Sequence, residues 1–504
     1  MKKLILTLIA TAGLTAYSFG QYVDQALIFS QQNFGSTARS KAMGNAFGAI
    51  GGDFSSLSIN PAGIGIYLKS EVSTTLNVIG MNDAETTYRG QITNDRSNDF
   101  SFRNFGYVLA TPVKGGGSSG LVSFNIGIGF NQLNNFNQTI SVSKNSSPYS
   151  RMDAFAQNSN GISNSSFYDE NNPYSNGTPW ESKLAWENYL INVTNPDKNG
   201  IGNTYNSILL TNELVNQNLI INKTGFLNEY VASIGANFNH QFYIGATFGM
   251  QDLYYNVSQT YSENGEFGSF DYINSSRTRG YGYNLKFGII YRPAPSLRLG
   301  AAIHTPTFFD LKEDYSSIMS SNLTNVSTEA NGTHTAATPF GDYKYSLDTP
   351  LRAIGSAALQ FGKKGLLSFD YEYVDYSKMK LRSGGDGYGF SSENTDITTI
   401  YRPVTNLRFG GEFKPTQALS FRAGYELFGN PYHSFINNVS QPNKDFNCSS
   451  VNAGIGFRVD NVSLDLSYSL TNRTDYNYMD NIDPEPVEYH MSKNEIILTL
   501  GIRL

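Results

Sequence analysis

The sequence predicts an all-β protein, a 14-stranded antiparallel transmembrane β-barrel with an N-terminal luminal plug. Three observations lead there. Stretch after stretch alternates apolar and polar residues with period two, as strands do when one face meets lipid and the other water. The connections between those stretches alternate between long and short, the pattern of barrels with short periplasmic turns and longer external loops. The composition is low in charge, at 15% Asp, Glu, Lys and Arg, yet rich in Tyr (33), Phe (33) and Gly (48). No apolar run after residue 20 is long enough for a membrane helix, which needs ~20 residues.

The chain opens with MKKLILTLIATAGLTAYSFGQ. Lys2 and Lys3 precede an apolar core from Leu4 to Ala16, and Ser18 and Gly20 put small residues before Gln21. Residues 1–20 therefore read as a secretory signal peptide, too short for a span. Residues 21–67 do not alternate and are rich in Gly, Ala and Ser. They carry Leu27, Phe29, Phe34, Met43, Phe47 and Phe54, too many apolar groups for a segment left in water. They read as a plug, with short helical pieces at Val23–Ser30 and Thr37–Phe47.

Residues 68–504 read as the barrel. Strands are expected near 68–80, 99–112, 119–143, 228–239, 241–262, 277–293, 296–312, 341–361, 365–382, 400–414, 417–430, 447–460, 461–475 and 487–504. In VNAGIGFRV, Val451, Ala453, Ile455, Phe457 and Val459 form one face. In EIILTLGIRL, Ile496, Leu498, Leu500, Ile502 and Leu504 do. Long external connections are expected at Gly80–Asp99, at 144–227, at Glu313–Phe340, at Ser383–Thr399 and at Pro431–Asn447. That alternation puts both chain ends on the periplasmic side.

The run GSTARSKAMGNAFGAIGGDFSSLSINPAG, residues 35–63, resembles the N-terminal hatch of the OmpP1/FadL/TodX family, the long-chain fatty-acid transporters of the outer membrane. The matching positions include Arg39, Gly44, Asp53, Asn60, Pro61, Ala62 and Gly63. The resemblance implies a fourteen-stranded barrel in the bacterial outer membrane that passively takes up hydrophobic compounds such as long-chain fatty acids. It also implies a luminal pocket, movement of the hatch and a lateral exit at a kinked strand. The expected partners are hydrophobic small molecules and outer membrane lipid, with no nucleic acid, and the barrel is expected to work as a monomer. Relatives of such barrels also serve protein secretion, so a secretion shuttle or scaffold is the alternative.

Two groups of residues are candidates within this frame. Gly127 and Gly129 precede NQLNNFNQ (131–138) and permit a kink in the third strand; alternatively that strand simply continues above the membrane. Arg298, Arg408, Arg422 and Arg458 fall on inward faces. They are suited to hold a ligand carboxylate or a hatch residue such as Asp53. Glu412, Glu426 and Asp465 share those faces, so a mutually neutralising set is the other reading. In the 144–227 connection, Trp180, Leu184, Trp186, Tyr189 and Leu190 give a helix an apolar side that either receives a ligand or packs on the rim. One Cys, Cys448, rules out an intramolecular disulfide. The five His residues lack metal spacing, and no nucleophile, P-loop or dinucleotide motif is present. Neither a cofactor, a metal nor an enzymatic activity is expected.

Overall fold

The computed structural model describes residues 16–504 except 35, 114–119, 169–177, 196–202, 328, 386, 437–438 and 481. Most of the segment read as a signal peptide and the 114–119 turn lie outside the described residues. No described helix is long and apolar enough to cross a membrane.

The chain forms a closed antiparallel barrel of fourteen strands. They are β1 (Glu71–Tyr88), β2 (Gln91–Pro112), β3 (Leu121–Asn135, then Gln138–Ser147), β4 (Val215–Phe238), β5 (Phe242–Gly265), β6 (Gly268–Ala294) and β7 (Leu297–His304, then Phe308–Leu323). There follow β8 (Gly332–Ala337, Gly341–Asp348 and Arg352–Phe361), β9 (Gly365–Asp375, then Lys380–Ser383), β10 (Pro403–Phe413), β11 (Leu419–Phe428), β12 (Asn447–Val459), β13 (Val462–Asn477) and β14 (Val487–Arg503). Closure comes from β1 pairing with β14, from Glu71 opposite Arg503 up to Thr87 opposite Glu488. Every strand thus has two neighbours, which satisfies backbone groups that lipid cannot.

The alternation maps directly onto the wall. On β6 the outward residues are Tyr281, Tyr283, Leu285, Phe287, Ile289 and Tyr291, all exposed. Their inward neighbours Asn284, Lys286 and Ile290 are buried. An apolar belt of this kind, about 25 Å tall, marks the hydrocarbon zone. On β7 the belt ends at Phe308, and the next outward residues are Asp310, Lys312 and Asp314.

Above the belt the structure corrects the expected loops. Gly80–Asp99 is not a loop: β1 and β2 run on as a hairpin to Tyr88 and Gln91. Arg89 and Gly90 turn the corner with φ of 48° and 74°, as a two-residue hairpin turn requires. Likewise β4 starts at Val215 rather than near 228, and most of Glu313–Phe340 belongs to β7 and β8. Beyond the membrane the outward face meets water and carries polar residues, while the inward face of 81–98 is itself mostly polar, so no continuous apolar row advertises a strand there.

The 144–227 connection is a folded cap. Helices α4 (Arg151–Ser159) and α5 (Trp180–Glu187) and a small hairpin (Ile191–Asn195 with Thr204–Ser207) pack on the rim. Phe155 meets Phe270 and Tyr272 of β6 at 6.1 and 5.8 Å. Trp186 stacks on Phe167 at 5.5 Å. The apolar side of this segment is therefore used for packing.

Candidate functional site

The lumen has three levels, a helix at the top, the plug in the middle and an open space below it. At the top is α1 (Ala16–Ser30), which spans the expected cleavage point and lies in the outer half of the barrel. Its Tyr22 packs on Tyr345 (β8) and Phe390 at 5.5 and 5.8 Å. Tyr401 donates to the Val23 carbonyl (3.2 Å). Phe29 meets Tyr255 of β5 at 5.5 Å. The first described residues therefore sit at the external mouth, not on the periplasmic side. A membrane-facing pattern predicts walls but carries no information on what fills the lumen. Helix α6 (Ser391–Ile400), between β9 and β10, covers α1 from above with buried Ile397.

Glu313, on the external extension of β7, is buried beside α1, whose Gln25 hydrogen-bonds it. Burial pushes its carboxyl up to about 7 from 4.5, partly offset by Gln25 and Ser276. With the folded value above the unfolded one, the folded state holds a proton between those two values that the unfolded chain has lost. Docking of α1 weakens as pH rises from about 4.5 to 7, by roughly 3 kcal/mol in all, and then levels off. Protection factors across residues 22–30, which correct exchange for its base-catalysed intrinsic rate, are expected to be lower at pH 8 than at pH 5.5, and Glu313→Gln removes the difference.

The middle layer is the plug proper, and its motif residues build it. Thr37 caps α2 (Ala38–Ala42), accepting from the Ser40 N–H at 3.2 Å. The Thr37 hydroxyl donates to Asp53 at 2.8 Å, and Asp53 also accepts from the Ser55 N–H at 3.0 Å. Helix α3 (Ser56–Ile59) leads to Asn60, whose side chain starts a 3-10 helix (Pro61–Ile66) by accepting from the Ala62 N–H at 3.1 Å. Asn60 also donates to the carbonyls of Gly48 (2.6 Å) and of Ile289 in the wall (3.1 Å). Asn60, Pro61, Ala62 and Gly63 are all buried inside the barrel.

Four wall carboxylates fasten this plug. Glu426 accepts from Lys41 at 2.7 Å and from Asn45 at 3.2 Å. Glu412 accepts from Arg39 at 3.3 Å. Asp370 accepts from the Gly48 N–H at 2.9 Å. Glu229 accepts from Ser58 at 2.9 Å and pairs with Lys286 at 2.6 Å. Plug cations thus meet wall acids, and Asp53 serves the plug's own interior.

Inward glycines bring the two backbones together. Gly235, Gly245 and Gly288 are direct cross-strand neighbours on β4, β5 and β6. A Cβ on Gly245 would collide with the Pro61 carbonyl, and one on Gly288 with the Asn60 side chain. Gly44, at φ 60°, presses against the backbone of Phe409 and Tyr425. Gly127 and Gly129 have the same use. They lie in regular register opposite Val108 and Gly106 and make room for Leu57 and Phe54 of the plug. They are not the kink.

The interruption in β3 lies further on, at Phe136–Asn137, after a register shift between Gln132 and Asn134. Below it β3 pairs with both neighbours, the ladder to β2 ending at Asn131 opposite Asn104. Above it, Gln138–Ser147 pairs with β4, and β2 from Gln91 to Phe102 pairs with β1. No β2–β3 ladder is present there among the described residues. Side chains close this seam instead. Asp99 accepts from Asn135 (2.6 Å) and Asn137 (3.1 Å), and Asp95 accepts from the Ser141 N–H (2.6 Å) and hydroxyl (2.9 Å).

Between α1, the plug and this seam is a cavity of about 320 Å3. Asn134–Gln138 of the seam line one side and Ile28 and Phe34 another. Arg103, Lys223, Arg352 and Arg473 also reach it. Arg103 is paired with Glu495 (2.6 Å), Arg352 with Glu372 (2.5 Å) and Arg473 with Asp475 (2.6 Å). Lys223 makes no ion pair among the described residues, and it is the cation best placed to receive an anionic group.

Of the four arginines singled out in sequence, three gather below the plug and Arg408 stands apart. Arg408 pairs with Glu372 and lies 4.7 Å from the ring of Phe34. Arg422 bonds Glu412 (2.7 Å) and Asp465 (2.6 Å). Arg298 donates to the Ile50 carbonyl of the plug at 2.7 Å, and Arg458 is at the lower rim. Arg408 and Arg422 are neutralised by acids, and Arg298, Arg422 and Arg458 line the space below the plug rather than the cavity above it. Lys223, Glu229, Asp370 and Glu372 were missed, because an inward charge in an alternating strand looks the same whether it meets water, a plug or a ligand. No convergent metal-ligand group occurs among the described residues.

The family model described as outer membrane protein transport protein (OMPP1/FadL/TodX) matches residues 225–503. The chain belongs to this family. Membership places the barrel in the bacterial outer membrane, among transport proteins rather than enzymes. Solved structures agree on the fold over nearly the full length. A Pseudomonas aeruginosa FadL homologue aligns with a TM-score of 0.54 at 13% identity, over 94% of this chain and 98% of that one. The Ralstonia pickettii toluene transporter TbuX aligns at 0.50 and 13%, over 94% and 99%. The Pseudomonas putida toluene transporter TodX aligns at 0.50 and 12%, over 94% and 99%. No curated protein sequence matches the chain.

Proposed function

We propose that this protein is a passive outer membrane channel for hydrophobic compounds, with long-chain fatty acids the favoured class. Residues 1–20 serve as its export signal and residues 21–67 as its hatch. The observation that carries the reading is the meeting of a plugged lumen, a cavity and a strand interruption at one place. A water-filled pore gives an apolar solute no advantage, whereas a cavity opening sideways delivers it into the bilayer. Transport proteins for toluene share the fold, but this cavity is lined by Asn, Gln and cations as well as Phe34 and Phe136. That lining suits a chain with a polar head better than a bare hydrocarbon. The ligand enters beside α1, its carboxylate near Lys223, and leaves through the seam.

Uptake of labelled oleate by a deletion strain, with and without the gene, tests the reading. Lys223→Gln is expected to lower oleate uptake about threefold to tenfold, a cost on the order of 1 kcal/mol for a partly exposed ion pair. Oleyl alcohol uptake is expected to be unchanged. Equal oleate uptake in the presence and absence of the gene overturns the fatty-acid reading. A stable co-purifying protein partner would then favour the secretion scaffold.

A further inference from the structure

Below the plug, at the periplasmic mouth, lies a second cavity of about 330 Å3 lined by Arg298, Arg422 and Arg458. Seven cationic side chains and two carboxylates border it. The carboxylates are already committed. Glu412 takes Arg39 (3.3 Å), Arg422 (2.7 Å) and Lys414 (3.0 Å), and Asp465 takes Arg422 (2.6 Å). Arg503 is held by Glu71 at 3.1 Å.

Three cations remain without a carboxylate among the described residues. Arg298 spends one N–H on Ile50, while its Nε is buried with no hydrogen-bond partner among them. Arg458 is exposed at the rim and makes no ion pair among the described residues. Lys69 reaches only the Asn461 side chain, at 3.5 Å. Guanidinium donors left unmet in a concave, partly desolvated site form the arrangement that recognises an oxyanion with paired N–H bonds. The surplus of positive charge focuses an attractive field at the mouth. Short turns such as 362–365 and 414–417 leave that mouth open to the periplasm.

We propose that this vestibule is an oxyanion-binding site facing the periplasm, which takes a phosphate group either free or carried on a lipid of the inner leaflet. The assignment does not depend on what the barrel transports.

Purified full-length protein tests it in two arms. In zwitterionic detergent, inorganic phosphate is titrated against chloride at constant ionic strength and followed by 31P line broadening and the unfolding midpoint. In nanodiscs, retention of phosphatidylglycerol against phosphatidylcholine is read by native mass spectrometry. Broadening with a rise of several degrees supports a free phosphate, and selective retention of phosphatidylglycerol supports the lipid headgroup. Arg298→Gln with Arg458→Gln is expected to weaken either response at least tenfold, and Arg96→Gln on the external hairpin to leave both unchanged. Arg458→Gln alone, at an exposed position, covers the case in which the double variant does not fold. A response equal in wild type and Arg458→Gln, or none in either arm, overturns the proposal.

Discussion

Planar bilayers holding the Gly245→Val, Gly288→Val variant are expected to pass ion current, and wild-type barrels to stay closed. These glycines are direct cross-strand neighbours, and the plug's Pro61 and Asn60 rest on their backbones. Wall strands fixed by ladders on both sides cannot withdraw, so the added side chains push the plug instead. Overpacking a close-fitted contact costs about 1–3 kcal/mol per site. Two such sites are enough to outweigh a single carboxylate anchor such as Glu229 on Ser58. A barrel of fourteen strands is wide enough that, without its plug, water fills it. Heat-modifiable migration on gels shows whether the variant barrel is folded. A folded variant with no current above wild type would mean that the plug does not depend on this contact.

Oxidation of a cysteine pair at positions 95 and 141 is expected to stop uptake of hydrophobic compounds, and a reductant to restore it. In a Cys448→Ser background the only thiols are those introduced. The Ser141 hydroxyl is 2.9 Å from the Asp95 carboxylate, so the two side chains face each other across the seam, and mass spectrometry of the oxidised protein checks that the bond has formed. The bond replaces a reversible side-chain closure by a covalent one while leaving cavity and plug untouched. Uptake is expected to fall at least tenfold on oxidation, with ion conductance unchanged. Full uptake through the oxidised protein would place the exit elsewhere. It would then point to displacement of the plug as the route, a question the glycine variant answers separately.

The two results bear on different parts of one path. Backbone-to-backbone docking and four wall carboxylates fasten the plug over much of its length, whereas the seam beside the cavity is held through side chains, by Asp95 and Asp99 and, higher up, by Gln91 and Thr93 with Ser143. On the proposed path the exit is the seam, where no backbone ladder between β2 and β3 has to break. The pH response of Glu313 concerns a third part, α1 at the mouth.

Much of this was legible beforehand. Lipid imposes an apolar residue at every second position, so all fourteen strands and their order follow from alternation and turn spacing. Residues 21–67 pointed to a plug because so many apolar residues have no place in water, and the run ending in NPAG pointed there separately, through its resemblance to a hatch. Strand length was not legible, since above the belt neither face needs to be apolar, as 81–98 shows. Gly127 and Gly129 looked like points of weakness, because a glycine in a strand marks either a bend or a close approach and local sequence does not distinguish them. Cavity and anchors were hidden for a related reason. Glu426 meets Lys41, and Glu229 meets Ser58, across long stretches of chain, and no periodicity records such a distance.

What the sequence by itself determined is the wall, because each strand answers to a solvent that is the same everywhere along it. Only the tertiary structure decided the contents of the lumen: where α1 lies, which charges are spent on the plug, and where β2 and β3 part. Those depend on which residues the closed barrel brings face to face, and closure is a property of all fourteen strands together.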